Sequence, residues 1–410
     1  MQEPCSKGAL SDIVVIELGM VMQVPLAGQM LADYGARVIK VERPGSGDIL
    51  RTLDPLANEL GMMSCYYAAL CRNKYAVCID VKQPNGLAVL LRMIDQADVL
   101  MHNFRPGVME RLGLGYADLA KRNPRLIYAG GYAFGEAGPM SKFPGQDMLS
   151  QAFSGFTMSG RSSQDEPQLS NVPLMDYSAA VSLTQGILAA LVERGRSGKG
   201  QAVSTSLFEV AIGMQTLELA SKTMHGAETS WVRHAMVYRA KDGWVVVLTL
   251  FRDNPLQLLC KAFDVEDLSE EGRFDNVELQ IAQKATIQGL FAPLFASKSV
   301  ADVLDRLSRV DILCAPINHL SEVLDHPQTE ANGSIWSIDV PGHGEMRVAG
   351  SAVRLSRTPA TYRRPPTWMG ADNEQVLRSF GFNAAEISAL QQSNILTSDP
   401  RAEAIEAARS

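Results

Sequence analysis

Short apolar runs alternate with amphipathic stretches over the first hundred residues of the chain. Runs rich in β-branched residues predict strands over residues 13–18, 37–42, 77–81 and 99–103. Between them, apolar residues recur at helical spacing over residues 25–34 and 86–96. Strands that alternate with helices predict an α/β fold with a parallel sheet that is covered on both faces.

The pattern changes in the second half of the chain. A long helix is expected over residues 178–194, followed by a glycine-rich turn and a strand at 203–207. Farther on, apolar residues at 235–240 and 244–250 flank Lys241-Asp242-Gly243, which is typical of a β-hairpin turn. This hairpin and the helices after it predict a smaller α+β domain. The later helices are expected over residues 255–265, 282–296, 299–309, 373–380 and 384–392.

The composition and charge of the chain argue against two classes of binding partner, nucleic acids and membranes. The chain has 410 residues, of which 20% are charged, and its net charge is −7. Nucleic-acid-binding proteins carry basic surfaces that neutralise phosphates, and the sequence has no basic stripe, so we expect no nucleic-acid partner. No window reaches the roughly 18 uninterrupted apolar residues of a membrane span, so we expect no membrane partner. No apolar stretch follows Lys7, which argues against a secretory signal and favours a cytoplasmic protein.

The cysteines give no sign of a disulfide framework or a metal site. No two of them form a C-x-x-C pair, and most lie in apolar runs. We therefore expect reduced, buried thiols and no bound metal. The six residues are Cys5, Cys65, Cys71, Cys78, Cys260 and Cys314.

The opening strands and helices invite comparison with dinucleotide-binding domains. In such a domain, Glu42 at the end of the second strand would bind a ribose hydroxyl. The loop after the first strand, residues 19–25, lacks the glycines that allow close approach to a pyrophosphate. The sequence therefore argues against a dinucleotide site. The loop still follows a strand, where open α/β sheets bind ligands.

Two later loops carry arginines that suit a phosphorylated nucleotide. Arg43 follows the second strand, and its guanidinium could stack on a purine or pair with a phosphate. Asn103, Phe104, Arg105 and Arg111 follow the fourth strand and combine an amide, an aromatic face and two cations. The alternatives are that Arg43 is simply solvated and that Phe104 fills the core.

Two aspartates stand where helices are expected to begin. Asp147 and Asp176 could both be helix caps, which is the simplest explanation of an aspartate at such a position. Asp176, directly ahead of the helix predicted at 178–194, could also be a nucleophile that the helix dipole keeps ionised and apolar neighbours desolvate. Ser154 has no histidine at a readable spacing, so a serine-hydrolase triad is disfavoured.

Taken in order, the motifs resemble the family III (CaiB/BaiF) CoA-transferases, whose relatives include formyl-CoA transferase and α-methylacyl-CoA racemase. The resemblance runs over nearly the whole chain. It rests on Val38-Ile-Lys-Val-Glu-Arg-Pro-Gly45, Asn73-Lys74, Asn103-Phe-Arg-Pro-Gly107, Arg111-Leu-Gly-Leu-Gly115, Asn123-Pro-Arg-Leu-Ile-Tyr128, residues 145–155, Gly186-Ile-Leu-Ala-Ala190, Gly198-Lys-Gly-Gln201 and Ser356-Arg-Thr-Pro359.

The resemblance implies an architecture. A large Rossmann-like, CoA-binding domain would be built from both chain ends, residues 1–220 and a return segment at 331–410. A small α+β domain at 225–330 would be inserted between them. Two chains would form an interlocked homodimer, and so large an interface would make a folded monomer unstable.

The resemblance also implies a covalent reaction. Asp176 falls where the family keeps its catalytic aspartate, so it would attack an acyl-CoA thioester and form an aspartyl anhydride and then an aspartyl-CoA thioester. A small carboxylic acid would receive the CoA. Acyl-CoA is then a substrate, and no tightly bound cofactor is expected.

Further residues are matched to the family's site by the same resemblance. Asp147 would orient partners near the reacting carboxylate, and Gln23 would contact the acyl group. Arg43 and Ile79 would hold the adenosine part of CoA. The remaining CoA-site positions are Asn103, Phe104, Arg105 and Arg111.

Departures from the family pattern bear on two alternatives. Racemases of the family carry a histidine directly before the acid matched by Asp147, and here that residue is Gln146, which cannot exchange a proton. The sequence therefore favours a transferase over a racemase. Asp176 argues against a catalytically silent CoA-binding relative. The glycine-rich lid that some members carry in the small domain is not visible in this sequence.

Overall fold

The computed structural model describes residues 8–161, 164–227 and 230–402, and strands alternate with helices over its first two hundred residues. The strands are β1 Val14–Glu17, β2 Arg37–Glu42, β3 Lys74–Cys78, β4 Val99–His102, β5 Ile127–Tyr132, β6 Ala202–Ser206, β7 Ala235–Arg239, β8 Trp244–Leu248, β9 Leu313–Pro316, β10 Ile335–Val340 and β11 Gly344–Ala349. The helices are α1 Gln23–Asp33, α2 Pro55–Leu60, α3 Cys65–Cys71, α4 Pro84–Ile94, α5 Val108–Arg111, α6 Tyr116–Arg122, α7 Asp147–Phe153, α8 Leu174–Ser197, α9 Leu207–Met214, α10 Thr216–His225, α11 Pro255–Phe263, α12 Val277–Ala282, α13 Lys284–Ala296, α14 Val300–Arg309, α15 Leu320–Leu324, α16 Pro327–Ala331, α17 Asn373–Ser379 and α18 Ala384–Gln392.

Six strands form a parallel sheet in the order β3-β2-β1-β4-β5-β6, which is the Rossmann strand order. The predicted α/β fold with a parallel sheet is confirmed. The strand predicted at 77–81 is displaced, because it runs over Lys74–Cys78. Ile79 leaves the ladder and pairs with Leu396, so its apolar character reflects burial outside the sheet.

Side chains of the sheet enter two separate cores. Along β1, Val15 packs on one face and Ile16 on the other, as the period of a strand requires. The Val15 face is covered by apolar residues of α1 and α8, such as Leu31 and Leu183. The Ile16 face is covered by α4 and by the C-terminal helices α17 and α18. Apolar burial on both faces explains why the strands read as continuous apolar runs.

Helix α8 begins earlier than the sequence pattern indicates. It was expected at 178–194, but it spans Leu174–Ser197 and ends at Gly198, which has a left-handed backbone. Asp176 therefore lies inside the first turn of α8, not ahead of it. Within the described residues, this helix is the one long and apolar enough to cross a membrane, which is weak evidence on its own. Ala180, Leu183 and Ile187 on one of its faces pack into the core of the sheet.

The chain divides into two compact units. The first comprises the chain up to Thr157, Pro167–Gln215, and the chain from Gly333; the second comprises Met158–Glu166 and Thr216–Asn332. In the second unit, β7 and β8 form the predicted hairpin, and β9 completes an antiparallel sheet in the order β7-β8-β9. Helices α11, α13 and α14 cover this sheet with apolar residues.

The cysteines in the described residues are free thiols, as expected. Cys71, Cys78 and Cys260 are buried, but Cys65 is exposed, so the expectation of burial is wrong there. Cys65 begins the short helix α3, where its backbone N–H donates to Asp54. Cys5 lies outside the described residues.

Candidate active site

Functional side chains gather where the parallel strands end. The loops after β1, β2 and β4 leave the carboxyl edge of the sheet, where open α/β sheets bind ligands. These loops carry or lead directly to Gln23, Arg43 and Asn103. Helix α8 packs against α1, and the backbone N–H of Gln23 lies near the Asp176 carboxyl group and lowers its pKa. The loop that carries Arg43 and the start of α8 that carries Asp176 therefore both lie on the side of the carboxyl edge of the sheet.

Asp176 is the third residue of α8 and is half-buried. Burial raises the pKa of its carboxyl group from the ordinary 3.8 to about 7, and the negative charge of Asp147 acts in the same direction. The nearby backbone N–H of Gln23 opposes this rise in the pKa. Asp176 therefore changes between acid and carboxylate near neutral pH, as groups in active sites often do.

Asp147 begins helix α7, as the sequence suggested, but its carboxylate caps α8 instead. One oxygen, Oδ2, accepts the backbone N–H groups of Met175 at 2.6 Å and of Asp176 at 2.9 Å. The other, Oδ1, accepts the side-chain amide of Gln151 at 2.5 Å. Asp147 is buried and thus fixes the turn that carries Asp176 while placing a negative charge beside it.

Gln23 is the first residue of α1, and its side chain is buried at the end of β5. Its amide nitrogen lies 3.5 Å from the carbonyl of Tyr132. A Cβ on Gly131 would lie 2.4 Å from its amide oxygen, so glycine is needed there. The side-chain amide of Gln23 therefore packs tightly against the end of β5. Its contact with an acyl group stays a prediction.

A pocket of about 120 Å³ lies at the carboxyl edge of β1 and β2. Arg43, Ile79 and Phe104, which the sequence assigned separately to a CoA site, all line it. Ile79 is fully buried and forms part of the core, while Arg43 is exposed. Phe104 is half-buried and stacks on His102, whose pKa burial lowers to about 4. An apolar slot with one exposed guanidinium suits a purine base with a phosphate beside it.

The other candidates for CoA binding have different surroundings. The amide of Asn103 accepts the N–H of Met20 at 2.9 Å and donates to its carbonyl at 2.7 Å, so it fastens the loop after β1. Arg105 and Arg111 are exposed, and the guanidinium of Arg111 lies beside Gly107. Within the described residues, Arg105 and Arg111 form no ion pair, so both cations are free for an anionic ligand.

Two residues considered from the sequence have structural roles. The Glu42 carboxylate accepts hydrogen bonds from Arg51 at 2.8 and 2.7 Å, so it is not free to bind a ribose. The Ser154 hydroxyl donates to the carbonyl of Gln151 at 3.2 Å, as in a helix end. Both observations agree with the arguments against a dinucleotide site and a serine triad.

Comparison with known proteins identifies the family. Residues 10–373 match CoA-transferase family III. An acyl-CoA transferase of Fusarium pseudograminearum is 33% identical over 95% of this chain and 89% of its own length. An acetyl-CoA:oxalate CoA-transferase of Acetobacter aceti is 30% identical over 88% of this chain and 92% of its own. The crystal structure of Rv3272 from M. tuberculosis superposes with a TM-score of 0.79 and 29% identity, over 90% of this chain and 99% of that one.

The chain belongs to CoA-transferase family III. The resemblance inferred from the motifs is confirmed, and so is the prediction that the chain is a CoA-transferase. The carboxyl edge of the sheet in this family III chain combines a carboxyl group that ionises near pH 7 with exposed arginines and an apolar slot.

Some residues of the site were not singled out from the sequence. Gln151 donates to Asp147 and accepts the N–H of Ser170 at 2.9 Å, so it ties α7 to the segment before α8. The spacing of Asp147 and Gln151, four residues apart on one helix, could have indicated the pair. Asp48 is also buried, and its carboxylate accepts the N–H of Val21 in the loop after β1. Its partner lies far along the chain, so no spacing signal exists.

Proposed function

We propose that this family III enzyme moves CoA from an acyl-CoA donor to a small carboxylic acid through covalent intermediates on Asp176. One observation carries the proposal: a half-buried carboxyl group at the start of α8 titrates near pH 7 beside a second carboxylate. Desolvation strengthens a carboxylate as a nucleophile, and ionisation near pH 7 keeps a large fraction of it reactive.

The proposed reaction begins at the thioester. The Asp176 carboxylate attacks the acyl carbonyl, the C–S bond breaks, and CoA leaves as a thiolate, which yields an aspartyl-acyl anhydride. The thiolate attacks the aspartyl carbonyl, releases the donor acid as a carboxylate and leaves an aspartyl-CoA thioester. The acceptor carboxylate attacks this thioester and forms a second anhydride with release of thiolate. Attack of that thiolate on the acceptor acyl group yields the new acyl-CoA and restores Asp176.

The surroundings of Asp176 support this sequence of steps. Helices α1 and α8 both begin beside it, and helix N-termini favour developing negative charge. The backbone N–H of Gln23 lies near the carboxylate and would stabilise an oxyanion formed there. Asp147 would act as an orienting group, because its Oδ2 accepts two N–H groups of the α8 turn that carries Asp176.

CoA binding is proposed at the slot beside this carboxylate. Arg43 and Ile79 would contact the adenosine part, and Phe104 would close the apolar wall. Arg105 and Arg111, both exposed, would meet phosphates. Asn103 would contribute by fastening the loop that borders the slot.

The acceptor class follows from the relatives. One is named for oxalate and another, a succinate–glutarate CoA-transferase of Agrobacterium fabrum, for dicarboxylates, which supports a small carboxylic acid as acceptor. Racemisation lacks support, because Gln146 is an exposed amide where a second acid/base group would be needed. We also propose the architecture implied by the family: the small domain inserted in a large domain, and two interlocked chains.

Hydroxylamine trapping tests the covalent role. During turnover with succinyl-CoA or acetyl-CoA and a panel of carboxylates that includes oxalate and glutarate, mass spectrometry should find a hydroxamate on the peptide that contains Asp176. Asp176→Asn should bind CoA but transfer it at less than about a hundredth of the wild-type rate, since an amide cannot form the anhydride. Turnover that survives this substitution, without any adduct at Asp176, would contradict the mechanism.

A further inference from the structure

Val21, in the loop between β1 and α1, has a strained backbone. Its φ is +65°, which a β-branched residue rarely adopts, so its surroundings must hold it there. The Val21 N–H donates to Oδ1 of Asp48 at 3.1 Å. The preceding residue, Met20, is fastened by Asn103. The loop is thus held from two neighbouring strand ends.

Asp48 is fixed in turn by a buried ion pair with Lys40. Its Oδ2 lies 2.8 Å from Lys40 Nζ, and both side chains are fully buried. Lys40 also donates to the Glu17 carboxylate at 2.9 Å and to the carbonyl of Gly19 at 2.7 Å. Burial would lower the pKa of Lys40, but the carboxylates of Glu17 and Asp48 outweigh it and raise the pKa. The ammonium therefore stays charged.

This group of buried charges also contacts the first turns of α1. Lys74 donates to Glu17 at 2.7 Å and to the carbonyl of Pro25 at 2.6 Å. A Cβ on Gly28 would lie 2.0 Å from the Glu17 carboxylate, so only glycine lets α1 approach this closely. The two ammonium groups and two carboxylates balance in charge, as buried ions must.

The held loop determines where α1 begins. Met22 precedes α1 without a side-chain cap, which leaves the N–H groups of the first turn for another acceptor. Among these groups, the backbone N–H of Gln23 lies close enough to the Asp176 carboxyl group to lower its pKa. Among the charged side chains of the described residues, Asp147 on α7 is the one that shifts the pKa of Asp176.

We propose that Asp48, held by Lys40, is a positioning residue that keeps the loop after β1 in the one conformation that presents the Gln23 N–H to Asp176. We name the pair the Asp48–Lys40 clamp. The inference rests on the proposed role of Asp176 as nucleophile. The clamp would align the start of α1 with the reacting carboxylate before any substrate binds.

Removal of the clamp should slow the reaction without removing any reacting group. Asp48→Ala should lower kcat by about 100-fold, the cost of a misplacement near 1 Å. Since the nearby N–H of Gln23 lowers the pKa of Asp176, its displacement should move the midpoint of the kcat/KM pH profile to higher pH. Asp48→Asn keeps an oxygen for the N–H groups of Val21 and Leu50 but loses the negative charge that faces Lys40, so its kcat should lie between alanine and wild type.

A rescue variant separates positioning from general damage. Glycine adopts a φ of +65° without strain, so Val21→Gly should restore most of the kcat and the pH midpoint in the Asp48→Ala background. Hydrogen exchange at residues 19–24 should rise in Asp48→Ala and fall again in the double variant. Asp98→Ala is the matched control, because Asp98 also binds a backbone N–H of β1 and an arginine, but at the amino edge of the sheet. It should lower Tm without moving the pH midpoint.

The outcomes separate the clamp from the reaction mechanism. If wild type transfers CoA and Asp176→Asn does not, the nucleophile stands and the clamp can be judged. In that case, an unchanged pH midpoint in Asp48→Ala, no rescue by Val21→Gly, or an equal shift in Asp98→Ala would each overturn the clamp. If instead Asp176→Asn keeps full activity with no adduct on Asp176, the proposed function itself fails.

Discussion

Asp147 and Asp176 are two carboxyl groups in one site whose surroundings give them different tasks. Asp147 accepts hydrogen bonds from two backbone N–H groups and one side-chain amide. Asp176, in contrast, is half-buried and lies beside the negative charge of Asp147, and both effects raise its pKa. Groups that share a site and differ so much in environment commonly divide structural and chemical roles between them. Here Asp147 holds the turn, and Asp176 is the group able to react.

The pH dependence of transfer should report the ionisation of Asp176. Its pKa of about 7 means that kcat/KM for acyl-CoA should rise by about tenfold per pH unit below 7 and level off above it. Asp147→Asn removes the neighbouring charge, so the midpoint should move to lower pH. Asp118→Asn, an exposed ion-pair partner of Lys121, serves as the control and should leave the profile unchanged. An unmoved midpoint in Asp147→Asn would separate Asp147 from the electrostatics of the site.

Because its pKa is raised in the folded chain, ionisation of Asp176 lowers the free energy of unfolding. The unfolded chain ionises Asp176 above its ordinary 3.8, but the folded chain resists ionisation up to about 7, so the wild type loses stability as the pH rises between these values. Asp176→Asn avoids this loss. Its unfolding free energy should match wild type near pH 4 and exceed it by about 1 to 3 kcal/mol at pH 8.5. Denaturant unfolding at both pH values checks the sign, and equal stability at pH 8.5 would contradict the raised pKa.

Arg43 should contribute to CoA affinity. It lines the apolar slot, is exposed, and forms no ion pair within the described residues. Arg43→Ala should weaken CoA binding by about 1 to 3 kcal/mol, the range for a lost charged hydrogen bond. Arg122→Ala is the control, because Arg122 is also an exposed arginine but pairs with Asp95. Calorimetry with CoA should separate the two, and an unchanged Kd in Arg43→Ala would remove it from the site.

For individual residues, the sequence predicted which residues line the pocket better than it predicted their hydrogen-bond partners. Arg43, Ile79 and Phe104 were assigned from motifs, and they line one pocket. Asn103 was assigned to CoA, but its amide is used on the loop after β1. Hydrogen-bond partners that are 27 or 83 residues apart, as for Asp48 and Asn103, leave no periodic trace in a sequence.

The helices and strands whose apolar residues recur with a clear periodicity were predicted well. The strand of β2 was expected at its observed bounds, and helices α13 and α14 within two residues. Strand β5 was missed because Gly130 and Gly131 interrupt its apolar run. The hairpin of β10 and β11 was also missed, although Pro341 and Gly342 mark its turn. Helix α8 was predicted too short, because its first turn is fixed by Asp147 on another helix and not by a local cap.

At the scale of the whole molecule, several large apolar side chains of the first unit are exposed. Leu56, Leu60 and Val172 are each at least 60% exposed in the first unit, and Tyr177 beside the nucleophile is 46% exposed. Apolar surface near an active site commonly marks an interface. It agrees with the interlocked homodimer proposed for this chain, since such a dimer would cover this surface with a second copy.

An interlocked dimer makes a prediction that an ordinary dimer does not. Light scattering should give twice the chain mass of 44.6 kDa, even after strong dilution. Because closed rings cannot separate without opening, tagged and untagged dimers mixed under native conditions should form no hybrids over days. The same mixture should form hybrids after denaturation and refolding, which provides the control. Hybrids that appear without unfolding would show that the chains associate without being threaded through each other, because only a simple interface lets folded subunits exchange.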